Sequence, residues 1–226
     1  MARNPKCIGI IMDGNRRWAR AKGLPTFEGH RQGLEKIKEC VEWAKKQGIA
    51  NIILFALSTE NWNRSEAELS YLMGLFKLVL TKEVLVMRKA GIRVRCIGER
   101  ERFSAELQIL MREAEEKTAE NNILTLGLCL SYGGRAEIVD AANRAIAAGE
   151  KSVTEETFTR HLWTEGIPDP DLIIRTSGEM RLSGFLPWQS VYSELFFTKT
   201  YWPDFTEVEF KRIISDFSTR ERRIGK

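Results

Sequence analysis

Short apolar segments alternate with longer amphipathic ones along the whole chain, and this alternation constrains the fold more than any other feature. Strands joined through helices favour right-handed crossovers and a mostly parallel sheet, and near-continuous apolar strands indicate that helices cover both faces. The pattern predicts a single α/β domain over residues 1–226. Six apolar runs read as strands, the last one weakly: CIGIIM (7–12), NIILFALS (51–58), RVRCIG (93–98), LTLGLCLS (124–131), DLIIRT (171–176) and ELFFT (194–198).

The intervening segments predict helices over 29–47, 104–120, 133–148 and 205–222, a short one over 154–162 and a long one over 65–90. The long segment is unusual because its apolar residues cover more than the single stripe that docks a surface helix. Leu69, Leu72 and Phe76 form one row, and Met73 belongs to another. Two compatible interpretations stay open: a helix buried on two sides or in a dimer seam, and the wall of an apolar ligand cavity.

Composition narrows the class of function. The net charge of +4, from 35 basic and 31 acidic residues, is too small to indicate bulk nucleic-acid binding, so we expect no nucleic-acid partner. No apolar run reaches the roughly 18–20 residues of a membrane-spanning helix, and the N-terminus lacks a signal-peptide pattern. The four cysteines show no Cys-x-x-Cys spacing. We therefore expect reduced, buried thiols in a cytoplasmic protein.

Polar clusters follow the first, second and fifth predicted strands, at residues 13–18, 58–64 and 175–183. Ligands of open α/β sheets bind beyond the carboxyl ends of the strands, so we expect the three clusters to meet. In the first cluster Gly14 permits a tight turn, and Arg17 offers donors to phosphate oxygens. Asp13 would repel a bare phosphate, and is understandable if it holds Mg²⁺ that the phosphate also binds.

Each cluster also has a purely structural interpretation. The first could be a turn with a helix cap, but that leaves Arg16, Arg17 and Trp18 unexplained. The second could be a strand end followed by a Ser-x-x-Glu capping box from Ser65 to Glu68. The third could be a solvated loop. With no phosphate-binding Gly-rich motif, two anion sites beside an apolar wall indicate two diphosphate substrates with hydrocarbon tails.

The chain resembles the cis-prenyltransferases, the group of undecaprenyl diphosphate synthase and Z-isoprenyl diphosphate synthases. The resemblance covers nearly the whole chain in order, and the DDxxD motif of trans-prenyltransferases is absent. The segments that carry it are IIMDGNRRWA, GHRQG, FALSTENWNRS, LIIRTSGEMRLSGFLPWQSVYSELFF and WPDF…RERRIG.

This resemblance implies an enzyme that condenses isopentenyl diphosphate with an allylic prenyl diphosphate to form a Z-polyprenyl diphosphate and pyrophosphate. It also implies Mg²⁺ as cofactor, a six-stranded sheet, a homodimer and peripheral membrane contact through the product. A short-chain, branching or cyclising relative of the same fold is an alternative. A noncatalytic partner subunit is a second, although such partners lack the aspartate that Asp13 matches. An RNA-binding module is a third, disfavoured by the weak net charge.

The resemblance also assigns roles to single residues. Asp13 and Glu194 match metal-binding positions, and Asn61 matches the family's proposed proton acceptor, although a neutral amide is a poor base. The chain departs from common family residues at Arg16, Thr26 and Met180. The substrate-binding positions are Gly14, Asn15, Arg16, Arg17, Trp18, His30, Ser58, Thr59, Glu60, Trp62, Arg64, Arg175, Arg181, Leu182, Ser183, Arg223 and Gly225.

Overall fold

A computed structural model describes residues 4–220 of the chain. Its centre is one six-stranded sheet with the order β3-β4-β2-β1-β5-β6, and every neighbouring pair is parallel. The predicted α/β class and all six predicted strands are confirmed. The strands are β1 (Cys7–Ile11), β2 (Asn51–Phe55), β3 (Ile92–Ile97), β4 (Leu124–Cys129), β5 (Leu172–Arg175) and β6 (Glu194–Phe197).

Helices connect the strands, and the predicted segments agree with them to within a few residues at each end. Ser104 caps α5 by accepting a hydrogen bond from the Leu107 amide, and Thr206 caps α8 in the same way through Glu209. The helices are α1 (Asn15–Ala21), α2 (Thr26–Lys46), α3 (Glu66–Leu78), α4 (Val84–Lys89), α5 (Ala105–Thr118), α6 (Gly134–Ala147), α7 (Glu155–Thr159) and α8 (Glu207–Thr219).

The long segment predicted as one helix over 65–90 is interrupted. Between α3 and α4 lies a π-helical turn, Val79–Glu83, and the Thr81 hydroxyl donates to the Lys77 carbonyl oxygen at 2.7 Å. The prediction of a single regular helix was therefore wrong at this point. Single π-helical turns inside longer helices are frequent at functional sites.

The sheet is buried on both faces, as its apolar strands require. One core lies between the sheet and α2 to α5 and α8, and includes Ile10, Leu54 and Trp202. A second, smaller core on the other face includes Ile11 and Phe185. Gly9 in β1 permits the second core to pack closely, because a Cβ there would lie 2.9 Å from Cε1 of Phe185.

The cysteines behave as predicted. Cys7, Cys40, Cys96 and Cys129 are all buried and free. Burial raises the pKa of the Cys40 thiol to about 12, and it raises that of Cys96 to about 12 as well. Over the described ranges, no helix combines the length and the apolar character that crossing a membrane requires.

Candidate active site

The three polar clusters converge at one edge of the sheet, as predicted. Strand β1 lies between β2 and β5, so the residues that follow these three parallel strands are neighbours. A polar cleft of about 450 Å³ opens here, with side chains from all three clusters along its walls. Its polar and charged lining residues are Asp13, Asn15, His30, Ser58, Glu60, Asn61, Arg64, Arg175 and Ser183.

Asp13 is the centre of the charged network. One carboxylate oxygen, Oδ2, accepts from Nη2 of Arg175 at 3.0 Å and lies 3.2 Å from Nη2 of Arg17. The backbone is fixed as well, because the hydroxyl of the fully buried Thr176 donates to the Asp13 carbonyl oxygen at 2.7 Å. The carboxylate is thus held at the end of β1 by groups from β5 and α1.

Two glycines permit close packing beside Asp13. Gly14 has a φ of 104°, and a Cβ at this position would lie 2.8 Å from Cδ1 of Tyr201. Gly29 in α2 packs on the backbone of α1, since a Cβ there would lie 2.0 Å from the Asn15 carbonyl oxygen. This close packing places His30, the next residue, at the cleft.

The carboxylate of Glu68, near the start of α3, contacts three basic side chains from other parts of the site. It accepts from Nη1 of Arg64 at 2.9 Å and from Nε2 of His30 at 3.2 Å, and it lies 3.7 Å from Nη1 of Arg16. Burial lowers the pKa of His30, and the hydrogen bond to Glu68 offsets this only in part. A neutral imidazole therefore faces the cleft at neutral pH.

Sequence reasoning missed Glu68 as a site residue, because its spacing from Ser65 also fits a capping box. Half of that box forms: Oγ of Ser65 accepts from the Glu68 amide at 3.4 Å. The Glu68 side chain instead points toward His30 and Arg64. The one available sequence signal was the i, i+4 spacing of Arg64 and Glu68.

The second cluster is held by hydrogen bonds of its own. Oδ1 of Asn61 accepts from the Ser58 amide at 3.2 Å, so this oxygen closes the 3₁₀ turn Thr59–Asn63. Trp62 lies outside the cleft, where its Nε1 donates to Oγ of Ser131 at 2.9 Å. Thr59 also points away, and a Cβ on Gly133 would lie 2.6 Å from its hydroxyl. Asn61 lines the cleft, but its side-chain oxygen Oδ1 already accepts the hydrogen bond from the Ser58 amide.

The third cluster is linked to the first through Glu179. Arg175 donates from Nη1 to Oγ of Ser183 at 2.9 Å and also to the Arg181 carbonyl oxygen. Glu179 lies 3.1 Å from Nη1 of Arg17 and 2.6 Å from Nη1 of Arg181. The two predicted anion sites therefore share one counter-ion, a relationship that the sequence did not reveal.

An apolar cavity adjoins the polar cleft, and Met12, Asn15 and His30 line both. Its volume in this structure is about 90 Å³, and its walls are α2 on one side and α3 with the π-helical turn on the other. Both earlier interpretations of the long helical segment find support here, because part of it lines this apolar cavity and part of it is buried in the larger core.

Comparisons with known proteins agree with this arrangement. Residues 11–225 match the family model for undecaprenyl diphosphate synthase. An isoprenyl transferase of Thermotoga maritima is 47% identical over 99% of this chain and 97% of its own. A second isoprenyl transferase, from Chromobacterium violaceum, is 48% identical over 98% of this chain and 88% of its own.

This chain belongs to that prenyltransferase family. Two solved structures share its fold. Lavandulyl diphosphate synthase from Lavandula x intermedia, solved with dimethylallyl diphosphate, has a TM-score of 0.93 and 34% identity over 99% of each chain. A probable undecaprenyl diphosphate synthase from Campylobacter jejuni has a TM-score of 0.85 and 35% identity, covering 99% of this chain and 100% of that one.

Several residues predicted for the prenyltransferase site lie elsewhere in the described chain. Glu194 is the first residue of β6 and is paired with Leu172, the first residue of β5. It therefore lies at the amino ends of the strands, whereas Asp13 lies at their carboxyl ends. The Glu194 carboxylate is 2.5 Å from Nη1 of Arg220. The two predicted metal positions, Asp13 and Glu194, therefore lie at opposite ends of the strands within one chain. Trp18 donates to Asp204 at 2.8 Å instead of facing the cleft.

The remaining assignments are mixed. Leu182 packs against the smaller core. Arg181 and Met180 are exposed at the rim. Arg223 and Gly225 lie outside the described residues.

Proposed function

We propose that this prenyltransferase condenses isopentenyl diphosphate with an allylic prenyl diphosphate, producing a Z-polyprenyl diphosphate and pyrophosphate. The observation that carries the proposal is the continuity of the polar cleft around Asp13 with an apolar cavity, the two sharing His30 and Asn15. Guanidinium groups of Arg16, Arg17 and Arg64 lie beside Asp13. A substrate with an anionic head and a hydrocarbon tail matches both parts. The dimethylallyl diphosphate bound by the lavandulyl diphosphate synthase is itself a short allylic diphosphate.

The allylic diphosphate is assigned to the first cluster. Breaking its carbon–oxygen bond leaves growing negative charge on the departing pyrophosphate, and cationic groups stabilise that charge most at the transition state. Arg17 and Arg16 are the nearest guanidinium groups on α1, and Arg64 lies across the cleft. The apolar cavity takes the tail and keeps water away from the allylic cation.

The side chains around Asp13 fit Mg²⁺ only if substrate phosphates supply further ligands. In the described part of the chain no three His, Cys, Asp or Glu side chains cluster as a metal cage. Mg²⁺ is usually held by one or two carboxylates together with substrate phosphates and water. Asp13 supplies one carboxylate at the proposed diphosphate site, and its contacts with Arg175 and Arg17 both involve Oδ2. Asp13 would hold the ion, which would neutralise charge on the leaving group.

Isopentenyl diphosphate is assigned to the third cluster, with Arg175, Arg181 and Ser183 as donors. We do not assign Asn61 as the base that removes the proton from the extending unit, since its amide oxygen accepts from Ser58 and an amide is a weak base. Asn61 instead positions the substrate diphosphate or a water molecule that takes the proton.

The active form is proposed to be a cytoplasmic homodimer that touches membranes only through its lipid product. Support comes from apolar side chains exposed on α6, where Val139 and Ile146 have 61% and 73% of their surface accessible. The two side chains are seven positions, about two turns, apart on one face of α6, and an exposed apolar face marks an interaction surface when it forms a contiguous patch. The C-terminal Arg223 and Gly225 would then reach the partner's site, as the family resemblance implies.

Product sizing tests the proposal. The protein is incubated with labelled isopentenyl diphosphate, Mg²⁺ and allylic primers of five, ten, fifteen or twenty carbons, and the products are separated by length. Products longer than the primer by five-carbon units are expected, with none in EDTA. The narrow cavity also favours the short-chain alternative, which would appear as extension stopping after one or two units. No extension of any primer would refute the proposal.

A further inference from the structure

The apolar cavity ends in a charged pair. Nζ of Lys38 on α2 lies 2.9 Å from Oε1 of Glu83, the last residue of the π-helical turn. Both side chains line the cavity, and they are the only Asp, Glu, Lys or Arg residues among the described residues that do so. Charged groups at the wall of an apolar cavity are costly to desolvate, so their position there calls for an explanation.

The pair lies far from the polar cleft. His30 at the mouth and Lys38 belong to the same helix and are eight positions apart, which is about 12 Å along its axis. The side chains between them that face the cavity are apolar, among them Leu34 and Ile37. A hydrocarbon tail that enters at His30 and runs along α2 therefore meets apolar groups before it reaches Lys38 and Glu83.

The pair also lies between the cavity and solvent. The side chains of Lys38 and Glu83 are 36% and 19% exposed, so each has one side toward the cavity and another toward water. Lys38 has a second partner on its outer side, Glu35, at 3.1 Å from its Nζ, and the Glu35 side chain is 52% exposed. If the Lys38 ammonium leaves Glu83, it therefore still has Glu35 as a counter-ion.

The two members join the two walls that must separate if the cavity is to widen. Lys38 belongs to α2, and Glu83 belongs to the turn between α3 and α4. The cavity of about 90 Å³ leaves little room for a growing tail, so elongation requires these walls to move apart. The ion pair opposes that movement at the far end of the cavity.

We infer that the Lys38–Glu83 pair is a latch that limits product length, a specificity role that rests on the proposed function. A tail that reaches the latch has to displace or desolvate two charges while forming no hydrogen bond in return. Elongation then slows relative to product release. Without the Glu83 carboxylate, Lys38 turns outward to Glu35 and the tail can pass between α2 and the turn.

The test compares product lengths at equal extents of first condensation. Glu83→Ala removes the latch, and Glu83→Gln keeps the size of the side chain while removing its charge. Glu35→Ala is the matched control, since it removes the other partner of Lys38 outside the cavity. We expect the most abundant product of both Glu83 variants to gain at least one five-carbon unit, more for Ala than for Gln, with Glu35→Ala unchanged.

Wild-type product lengths from both Glu83 variants would overturn the latch. Equal lengthening by Glu35→Ala would overturn it as well, because the effect would then be a general loosening of α2. Failure of the proposed function gives a different result, namely no elongation by the wild-type protein with any primer. If Glu83→Ala does not fold, judged by circular dichroism, the isosteric Glu83→Gln decides alone.

Discussion

Nη2 of Arg175 lies 3.0 Å from Oδ2 of Asp13, across the neighbouring carboxyl ends of β5 and β1. This contact joins the two clusters assigned to different substrates. Arg175 is only 5% exposed and also donates to Ser183, so it cannot move toward a ligand without breaking contacts on both sides. The site is thus held in place before a substrate arrives, which reduces the reorganisation needed at the transition state.

Asp13 should be required for metal-dependent turnover. Asp13→Ala should lower turnover roughly 10²-fold or more, the scale associated with losing one group that stabilises charge in the transition state. Asp216→Ala is a matched control, because it removes a carboxylate on the exposed face of α8. Steady-state assays across a Mg²⁺ titration measure the effect, and full activity in EDTA would contradict it.

The two anion sites should separate kinetically. Arg181→Ala should mainly raise KM for isopentenyl diphosphate, and Arg17→Ala should mainly affect the allylic substrate. One charge-assisted contact corresponds to about 1.5–3 kcal/mol, or roughly 10- to 150-fold in affinity. Glu179→Gln is the informative comparison, since Glu179 contacts both arginines and its loss should affect both substrates. Equal effects of Arg17→Ala and Arg181→Ala on both substrates would show that the sites are not separate.

The C-terminal segment should act on the partner's site in a homodimer. Removing residues 224–226, which lie outside the described residues, should lower activity and leave the fold and the dimer intact. Circular dichroism and sizing provide the controls for fold and assembly. A fully active monomer on sizing would be incompatible with this expectation.

His30 should make stability depend on pH in a defined window. Its pKa in the folded protein lies below its ordinary value of 6.5, mainly through burial. As pH falls below about 6.5, the unfolded chain therefore takes up a proton that the folded protein resists, and stability decreases until the folded-state pKa is passed. His30→Gln should flatten this dependence in urea unfolding between pH 7 and 5. Superimposable pH profiles of the two proteins would exclude the effect.

A buried network beside the site should contribute to stability. Glu137 is fully buried and accepts hydrogen bonds from Tyr132, Gln189 and Thr164. Tyr132→Phe removes one donor from this carboxylate and should cost about 1–3 kcal/mol. Tyr71→Phe serves as the control, and urea unfolding measures both. Equal stability of the two variants would mean that the hydroxyl of Tyr132 contributes nothing.

The positions of the three clusters were predictable because the alternation of strands and helices indicates a parallel sheet. In such a sheet the carboxyl ends of all strands lie on the same side. Asp13, Ser58 and Arg175 lie at or just beyond the carboxyl ends of apolar strands, and they meet for that reason. The fold class followed from the same pattern.

Side-chain partners were less predictable, because they depend on how helices pack. Glu68 fits a local capping pattern, and only the packing of α3 against α2 brings His30 to it. Glu194 matches a family motif, yet the register of β6 places it at the amino ends of the strands, away from Asp13. The wide turn before Val84 interrupts a segment whose apolar spacing is continuous in the sequence.

The geometry of the double bond formed in one condensation tests the central proposal most directly. The wild-type protein, with Mg²⁺, an allylic primer and carbon-13-labelled isopentenyl diphosphate, is stopped after a single addition, and the new double bond is assigned by NMR. We predict a Z double bond, formed roughly 10²-fold more slowly or worse by Asp13→Ala at equal protein concentration. A new double bond of E geometry would contradict the account.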